Sequence, residues 1–215
     1  MHFLSPNSIL GGWLAFLLDA LLISVAWAIC SVPVITLGAA TAALNKVAMN
    51  WMKDRSGCTL GDFFRAFKEN LKSGTGVWII LLVPLVFILF NAYATWIALV
   101  QTSSAAQWMI LISGALWMAV AIYAFALQAI FENSPLRTVM NALRIAICNI
   151  LKTVILLVIF AASIAMFIIF PFGAVFYTPI CVFLAARPIW SVFKKVIEMP
   201  EVTVTNQDEF ENEGD

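Results

Sequence analysis

Apolar residues along the chain form long runs, and shorter stretches between them carry nearly all of the charge. A helix needs about 20 apolar residues to cross a hydrocarbon core of roughly 30 Å. Five segments reach this length: Trp13 to Val32, Val77 to Val100, Gln107 to Phe131, Leu151 to Phe170 and Phe172 to Trp190. The pattern predicts an all-α integral membrane protein with about five transmembrane helices and short amphipathic helices on the cytoplasmic side.

Two short breaks separate the later spans. The uncharged stretch QTSSAAQ, residues 101–107, is polar and short, so it is predicted to be a connection between two spans. The sequence PFG at 171–173 favours a tight turn between the last two spans. A single long kinked helix is the alternative there. The whole of residues 1–199 is expected to form one helical membrane domain.

The first apolar run is interrupted by the stretch SVPVITLGAATAAL, residues 31–44. Proline lacks a backbone donor and clashes with the preceding helical turn, so Pro33 predicts that the first helix ends at Ser31 or Val32. The following segment, 34–52, has only eleven apolar or small residues before its polar part, which is too short to cross. We expect it to pack obliquely against the bundle near one interface, through Gly and Ala residues that allow close approach. A re-entrant hairpin is the alternative.

The basic residues predict the orientation. All twelve Lys and Arg lie in three stretches: six in 46–72, three in 137–152 and three in 187–195. Five spans place all three stretches on one side, which the positive-inside rule makes cytoplasmic. We therefore expect a multi-pass protein of the bacterial plasma membrane with a cytoplasmic C-terminus. The first twelve residues contain no Lys or Arg, which is compatible with an outside N-terminus.

Composition agrees with a membrane location. Hydrophobic residues make up 63% of the 215 and charged residues 11%, against roughly a quarter charged in soluble domains. The mean hydropathy is +0.98. A net charge of zero gives no reason to expect nucleic acid as a partner. The acidic tail at 200–215 is predicted to be a disordered cytoplasmic end, with a partner-binding tail as the alternative.

Two charged segments have helical periodicity of their own. In TLGDFFRAFKENLK, Leu60, Phe63, Phe64, Phe67 and Leu71 fall on one face, and Thr59 to Asp62 has capping-box spacing. In SPLRTVMNALRIAICNILK, Ser134 is the expected N-cap and Pro135 the first helical residue, with an apolar stripe of Leu136, Val139, Met140, Leu143 and Ile147. Each segment feeds into a span, which suggests a weak internal repeat. Both helices are expected to lie at the headgroup level against membrane lipids, with docking of a partner on their polar faces as the alternative.

The motif at 31–44 followed by DFFRAFKENLK resembles the YesL-like family of small bacterial integral membrane proteins, whose function is unknown. The resemblance covers roughly residues 3–195. The matching positions are Pro33, Thr36, Gly38, Ala39, Thr41, Ala43 and Leu44 in the first motif, and Phe64, Arg65, Ala66, Phe67, Lys68 and Asn70 in the second. It implies an association with carbohydrate ABC uptake systems and no demonstrated activity.

The side chains that most enzymes and metal sites use are scarce in this sequence. The single histidine is His2, which is too little for a Ser-His triad or a histidine metal site. No pair of the four cysteines has CxxC spacing, and phosphate-binding glycine loops are absent. We expect no enzymatic activity, no catalytic residues, no metal and no cofactor.

Three classes of function remain. The first is an accessory protein that packs against an ABC-type sugar permease or another membrane protein, with a homo-oligomer as a further partner. The second is a transporter or channel for a small uncharged solute, with a path along Asn91, Gln101, Gln128 and the tryptophans. The third is a lipid-modifying enzyme, which the shortage of acid and base groups disfavours.

Asp19 is the one acid inside a predicted span. A carboxylate in hydrocarbon is costly, so this side chain should face protein or water. Ala20, Ser24 and Ala28 form a small-residue stripe beside it, against which another helix could pack closely. One interpretation is a structural hydrogen bond, and the other is contact with a solute hydroxyl or a partner's polar group.

Overall fold

A computed structural model describes residues 9–54, 59–97, 104–131, 133–170 and 174–198. Every element in these ranges is helical, which confirms the all-α prediction. The helices are α1 (Ile9–Ser31), α2 (Leu37–Asp54), α3 (Leu60–Ile97), α4 (Ser104–Ile130), α5 (Pro135–Cys148), α6 (Ile150–Ile169) and α7 (Ala174–Glu198), with a 3₁₀ turn, Val34–Thr36, between the first two. The predicted PFG turn, residues 101–103 of QTSSAAQ, His2 and the acidic tail lie outside the described residues. Residues 104–107 of QTSSAAQ form the first turn of α4, so the helix begins within the stretch that was predicted to be a connection.

Helices α3 and α4 are long and apolar enough to cross a membrane. Helices α5 and α6, which meet at a bend of 105°, make a third crossing if the pair is one broken span. The described part of the chain therefore holds two or three candidate spans by length and composition, which supports a membrane protein and does not confirm a count of five.

Helix α2 lies among four other helices, α1, α3, α4 and α7. Its alanines at 39, 40, 42 and 43 have no exposed surface, and Leu44, Val47 and Met49 are also buried. The prediction of a helix packed obliquely near one interface missed this central position. Small side chains make α2 narrow, so that neighbouring helices can approach it on several sides.

The turn between α1 and α2 lies level with the middle of the longer helices. A mostly apolar cavity of about 250 Å³ lies beside this turn. It is lined by the end of α1, the start of α2 and four other helices. Its lining includes Trp27 of α1, Thr41 of α2, Trp78 of α3, Trp117 of α4, Phe160 of α6 and Val182 of α7. Trp78, Trp117 and Phe160 each lie near the centre of their own helix. Trp27 Nε1 also donates to Thr41 Oγ1 at 3.4 Å, so α1 and α2 pack together as a hairpin. The lining residues place the turn of this hairpin about half-way along the bundle.

Helix α3 joins the charged end of the molecule to its apolar end. It has 38 residues and is therefore about 57 Å long. The predicted amphipathic segment is its first part, and the capping prediction is confirmed because the Asp62 N–H donates to Thr59 Oγ1 at 3.2 Å. Pro84 lies within the apolar half, where it removes one backbone donor. One turn away, Trp117 Nε1 of α4 donates to the Leu81 carbonyl at 2.8 Å and ties the two helices together.

Helix α5 begins at Pro135 with Ser134 as N-cap, as predicted. Its predicted apolar stripe is mostly exposed: Leu136, Met140, Leu143 and Ile147 face outward, and Val139 is half-buried. The buried face instead carries Thr138, Ala142 and Ala146. Close packing selects small residues, whereas hydrocarbon solvates the large ones. The bend of 105° after α5 also distinguishes it from α3, which continues as one helix into its apolar half, so the two parts of the suggested repeat differ at this junction.

Helices α6 and α7 pack against each other as a hairpin. Lys152 Nζ, near the start of α6, donates to Ser191 Oγ, near the end of α7, at 2.7 Å. Phe160 and Val182 line one cavity between them. This arrangement supports a turn between the last two helices over one kinked helix.

Candidate functional site

Two residues of the first motif build the turn after α1. Pro33 stands in an extended conformation immediately before the 3₁₀ turn. Thr36 Oγ1 lies 2.7 Å from the Cys30 carbonyl oxygen and 2.9 Å from that of Pro33. Carbonyls in the last turn of a helix lack helical partners, and this hydroxyl satisfies one of them. The Pro-X-X-Thr spacing is therefore a device that ends α1 and reverses the chain.

The next motif residues form a close crossing of α2 and α3. A Cβ atom added at Gly38 would meet the Gly74 carbonyl oxygen and lie 2.5 Å from the Trp78 Cβ. A Cβ added at Gly74 would lie 3.0 Å from the Ala39 Cα. Both backbones therefore touch directly, so the predicted close approach at Gly38 is present in the structure. This crossing fixes the position of Lys46, which follows it on α2, relative to the polar residues 69–73, which precede it on α3.

A polar cavity of about 590 Å³ opens beside this crossing, toward the charged end of the bundle. Four helices contribute to its wall. The polar lining residues are Lys46 of α2, Glu69, Asn70, Lys72 and Ser73 of α3, Gln128 of α4, and Asn133 just before α5. Pro135, the first residue of α5, completes the wall. We call this feature the polar cavity.

Two amide side chains form the buried part of the polar cavity. Asn70 and Gln128 are each only 5% exposed. Asn70 Nδ2 donates to the Ala66 carbonyl at 2.9 Å, and Gln128 Oε1 accepts from Thr138 Oγ1 at 3.3 Å. Among the described residues, the Asn70 carbonyl oxygen and the Gln128 amide nitrogen have no hydrogen-bond partner. Buried polar groups are usually paired, so these two groups are available to a ligand or water in the cavity.

An ion pair stands at the mouth of the polar cavity. Lys46 Nζ lies 2.6 Å from Glu69 Oε2, and the two side chains are 34% and 50% exposed. The hydrogen bond and the charge of Lys46 lower the pKa of the Glu69 carboxyl, so the carboxylate stays ionised. Lys72 adds a second ammonium, and the three charged groups among the described lining residues sum to one positive charge. The cavity therefore favours a polar ligand with a negative group.

The remaining residues of the second motif point in different directions. Ala66 and Asn70 are buried, and Phe67 is half-buried and stacked on Phe63 with ring centroids 6.3 Å apart. Phe64, Arg65 and Lys68 lie on the exposed side of α3, and Arg65 pairs with Asp62 at 2.8 Å. Of the residues in the second motif, only Asn70 lines the polar cavity.

Asp19 lies on α1 away from the polar cavity, and its side chain is half-buried. Beside it, Ala20 and Ser24 are buried and Ala28 is half-buried, so the expected small-residue stripe does face protein. Ser24 Oγ donates to the Ala20 carbonyl within α1. Within the described ranges no hydrogen bond to Asp19 is present, and both interpretations of this residue stay predictions.

The polar cavity is suited to binding. Its side chains supply ammonium and amide donors together with carboxylate, amide and hydroxyl acceptors. Cys30, Cys148 and Cys181 are free thiols outside it. In the part of the chain that is described, no three His, Cys, Asp or Glu side chains are grouped closely enough to hold a metal ion.

Most of the cavity residues were missed in the sequence. Lys46 and Lys72 contributed only to the predicted orientation and Gln128 only to a possible solute path, whereas Glu69 contributed to neither. The available signal was the placement of Asn and Gln in otherwise apolar helices, because such residues seek polar neighbours in a bilayer. The pattern could not show that α2, α3 and α4 bring them together.

The first motif, the glycine crossing and Asn70 fall within one stretch that is similar to a known family. Residues 13–92 match the family "Protein of unknown function, DUF624". This DUF624 segment includes the α1–α2 hairpin and most of α3. It contains Lys46, Glu69, Lys72 and Ser73, whereas Gln128 and α5 lie beyond it. No curated protein and no solved structure matches the chain.

Proposed function

We propose that this protein is a YesL-like accessory protein of a membrane complex, without catalysis of its own, and that its partner is an ABC-type permease for carbohydrate uptake. The observation that carries this proposal is an exposed stripe on the charged half of α3. Leu60, Phe64, Lys68 and Leu71 follow one another along this stripe, and the three apolar members are 37 to 42% exposed. We call it the α3 stripe.

The α3 stripe is held rigidly from behind. The opposite side of α3 presents Phe63 and Ala66, which pack in one cluster with Leu44 and Val47 of α2. A mixed apolar and basic surface on a fixed helix is suited to protein docking, because little conformational entropy is lost on binding. Headgroup-level lipid is the other surface that such a stripe would contact.

A site-specific cross-linker can show whether the α3 stripe contacts a partner protein or lipid. A photoreactive residue in place of Phe64 should give one cross-linked product with a permease subunit in native membranes, and Lys68→Glu should weaken it. The same residue in place of Leu111, which is 62% exposed on the apolar half of α4, is the control. Cross-links from position 64 that reach only lipid would contradict the proposal.

We also propose a placement in a bacterial plasma membrane, with the charged ends of the helices cytoplasmic. Helices α3, α4, α6 and α7 supply the full crossings, and α1 is the remaining segment of the predicted five. The level of the α1–α2 turn supports a re-entrant hairpin that includes α1, in contrast to the predicted alternative, in which only residues 34–52 were re-entrant. Ala20 and Ile23 cluster with Val47 and Phe63, so α1 runs inward from the charged side.

The alternative proposal is a transporter for a small uncharged solute, and it is favoured by the unpaired amide groups of Asn70 and Gln128. Against it, the core beyond the polar cavity contains Trp78, Tyr123 and Phe125, all less than a tenth exposed. Solute flux into proteoliposomes of the purified protein, lost in Gln128→Leu, would favour transport over an accessory role.

A further inference from the structure

An apolar groove lies further along α3 from the polar cavity. This groove, of about 680 Å³, is bounded by α3, α4 and α5, and Ser113 is among its lining residues. Its lining includes Ile80, Pro84 and Phe87 of α3, Leu116 of α4, and Val139 and Leu143 of α5. Several of these side chains are open to the surroundings: Val83 is 71% exposed and Phe87 69% exposed.

One face of α3 carries both features in order. Glu69 and Ser73 line the polar cavity, and Ile80, Pro84 and Phe87 line the groove. These residues recur at helical spacing, so they share one side of α3. Ser73 and Ile80 are seven residues apart, which is about 10 Å along the helix. Helix α5 accompanies them, since Pro135 lines the cavity and Val139 lines the groove.

The first residue of α5 lies between the polar cavity and the groove. A Cβ atom added at Gly76 would lie 2.8 Å from the Pro135 Cγ, so the missing side chain lets the proline ring rest on α3. A ligand that occupies both features therefore lies across the outer side of this ring. Its polar end reaches Asn70, Gln128 and Lys72, and its apolar end reaches Leu116 and Leu143.

We propose that the polar cavity and the groove together bind one anionic phospholipid, with a hydroxyl-bearing phosphodiester headgroup in the cavity and an acyl chain in the groove. The net positive charge of the cavity fits one phosphodiester. The N-terminus of α5, at Pro135 in the cavity wall, adds the positive end of a helix dipole, which favours an anion. Asn70 and Gln128, both nineteen-twentieths buried, offer an acceptor and a donor to headgroup hydroxyls. This site is independent of the proposed accessory role.

The position of the site in the bilayer supports a lipid as the occupant. The cavity lies where the charged half of α3 gives way to its apolar half, at Val77, and this is the level at which phospholipid headgroups meet hydrocarbon. The groove starts within a turn of that level and runs toward the apolar end. A free polar solute would fill only the polar cavity and would leave the apolar groove empty.

The test uses the full-length protein in neutral detergent with brominated lipids. Bromine on the acyl chain quenches nearby tryptophan, and Trp117 lines the groove. Phosphatidylglycerol should quench at lower concentration than phosphatidylcholine with the same chains. Lys72→Gln should weaken phosphatidylglycerol binding by roughly fivefold, the effect of one basic residue at an anionic lipid surface. Because Lys72 is exposed, this variant should fold.

Matched variants test each half of the site. Lys68→Gln removes an exposed charge one turn away from the cavity lining and should leave the selectivity unchanged. Ser113→Phe fills the groove and should reduce quenching by both lipids, whereas Leu111→Phe, on α4 but outside the groove, should not. Trp117→Phe identifies the share of quenching that arises at the groove.

Three outcomes would overturn the proposal. Equal quenching by phosphatidylglycerol and phosphatidylcholine would exclude headgroup selection. Equal losses in Lys72→Gln and Lys68→Gln would indicate a general surface effect. Competition by soluble glycerol phosphate at the same concentration as the lipid, with no change in Ser113→Phe, would assign the cavity to a free phosphorylated solute.

Discussion

At the scale of single residues, Gly38 has the most constrained surroundings in the first motif. Gly38→Ala should lower the free energy of unfolding by about 1 to 3 kcal/mol, because the added methyl group overpacks the contact with Gly74 and Trp78. Thermal unfolding in detergent measures the change.

Gly114 on α4 supplies the control for this substitution. A Cβ added there meets nothing within 4 Å, so Gly114→Ala should stabilise the helix by up to about 1 kcal/mol. Equal thermal midpoints for the two variants would show that α2 and α3 are not closely packed.

Thr36 is expected to act through its hydroxyl. Thr36→Val removes the hydrogen bond to the Cys30 carbonyl and should cost about 1 kcal/mol of stability. Thr36→Ser keeps the hydroxyl and should recover most of the loss. If Val and Ser behave alike in the same thermal assay, the hydroxyl is not what closes this turn.

The Lys46–Glu69 ion pair should make the stability of the protein depend on pH in the acidic range. Because Lys46 lowers the pKa of Glu69 in the folded protein, the pair stabilises fully above the unfolded pKa, near 4.5. This contribution disappears as the pH falls through the lower, folded pKa. In Lys46→Gln, the thermal midpoint should therefore depend less on pH below about pH 5 than it does in the parent protein. A parent and variant with parallel pH profiles would contradict the role of this pair.

At the scale of helices, the depth of the α1–α2 turn gives the sharpest test. Ile35 is 66% exposed and lies at the level of the bundle centre, so a cysteine there should face hydrocarbon. Ile35→Cys in a cysteine-free background should resist a polar maleimide on both sides of the membrane and react only after the protein is unfolded.

A complete first span would place this turn at the cytoplasmic surface, where maleimide should reach it in opened cells. Lys68→Cys, which lies on the exposed charged half of α3, is the positive control for labelling from that side. Labelling of both cysteines at the same rate in opened cells would rule out the half-way hairpin.

Local signals in the sequence predicted helix ends well. The capping threonine of α3, the proline at the start of α5 and the stop at Pro33 all involve groups within a few residues of each other, and all are in the structure. Facing directions were harder to predict. In a bilayer, an apolar stripe such as Leu136 and Met140 is solvated by lipid, so hydrophobicity does not identify the buried side.

At the scale of the whole molecule, the arrangement of α1 determines where the chain begins relative to its end. Four full crossings with a re-entrant hairpin put the epitope-tagged N-terminus and C-terminus on the same side. Five crossings put them on opposite sides. Protease protection of the two tags in inverted vesicles distinguishes these arrangements, and opposite sidedness would contradict the proposal made above.

The polar cavity could not be predicted from the sequence because it depends on tertiary neighbours. Lys46 and Glu69 are 23 residues apart, and Asn70 and Gln128 are on different helices. Each residue has an ordinary local explanation as a surface charge or a helix amide. The crossing at Gly38 and Gly74 brings α2 and α3 together, and the packing of α4 against both helices adds Gln128.

The central position of α2 has a consequence for how the chain is made. This helix emerges from the ribosome early, yet α7, one of the four helices that surround it, is synthesised last. Until then Trp51 lacks its edge-on contact with Phe183, which is 5.7 Å away in the complete fold. In the nascent chain, the α1–α2 hairpin therefore stays incompletely packed until α7 has been synthesised. We expect a protein truncated before Ala174 to be degraded by membrane quality control rather than to accumulate as a smaller stable bundle.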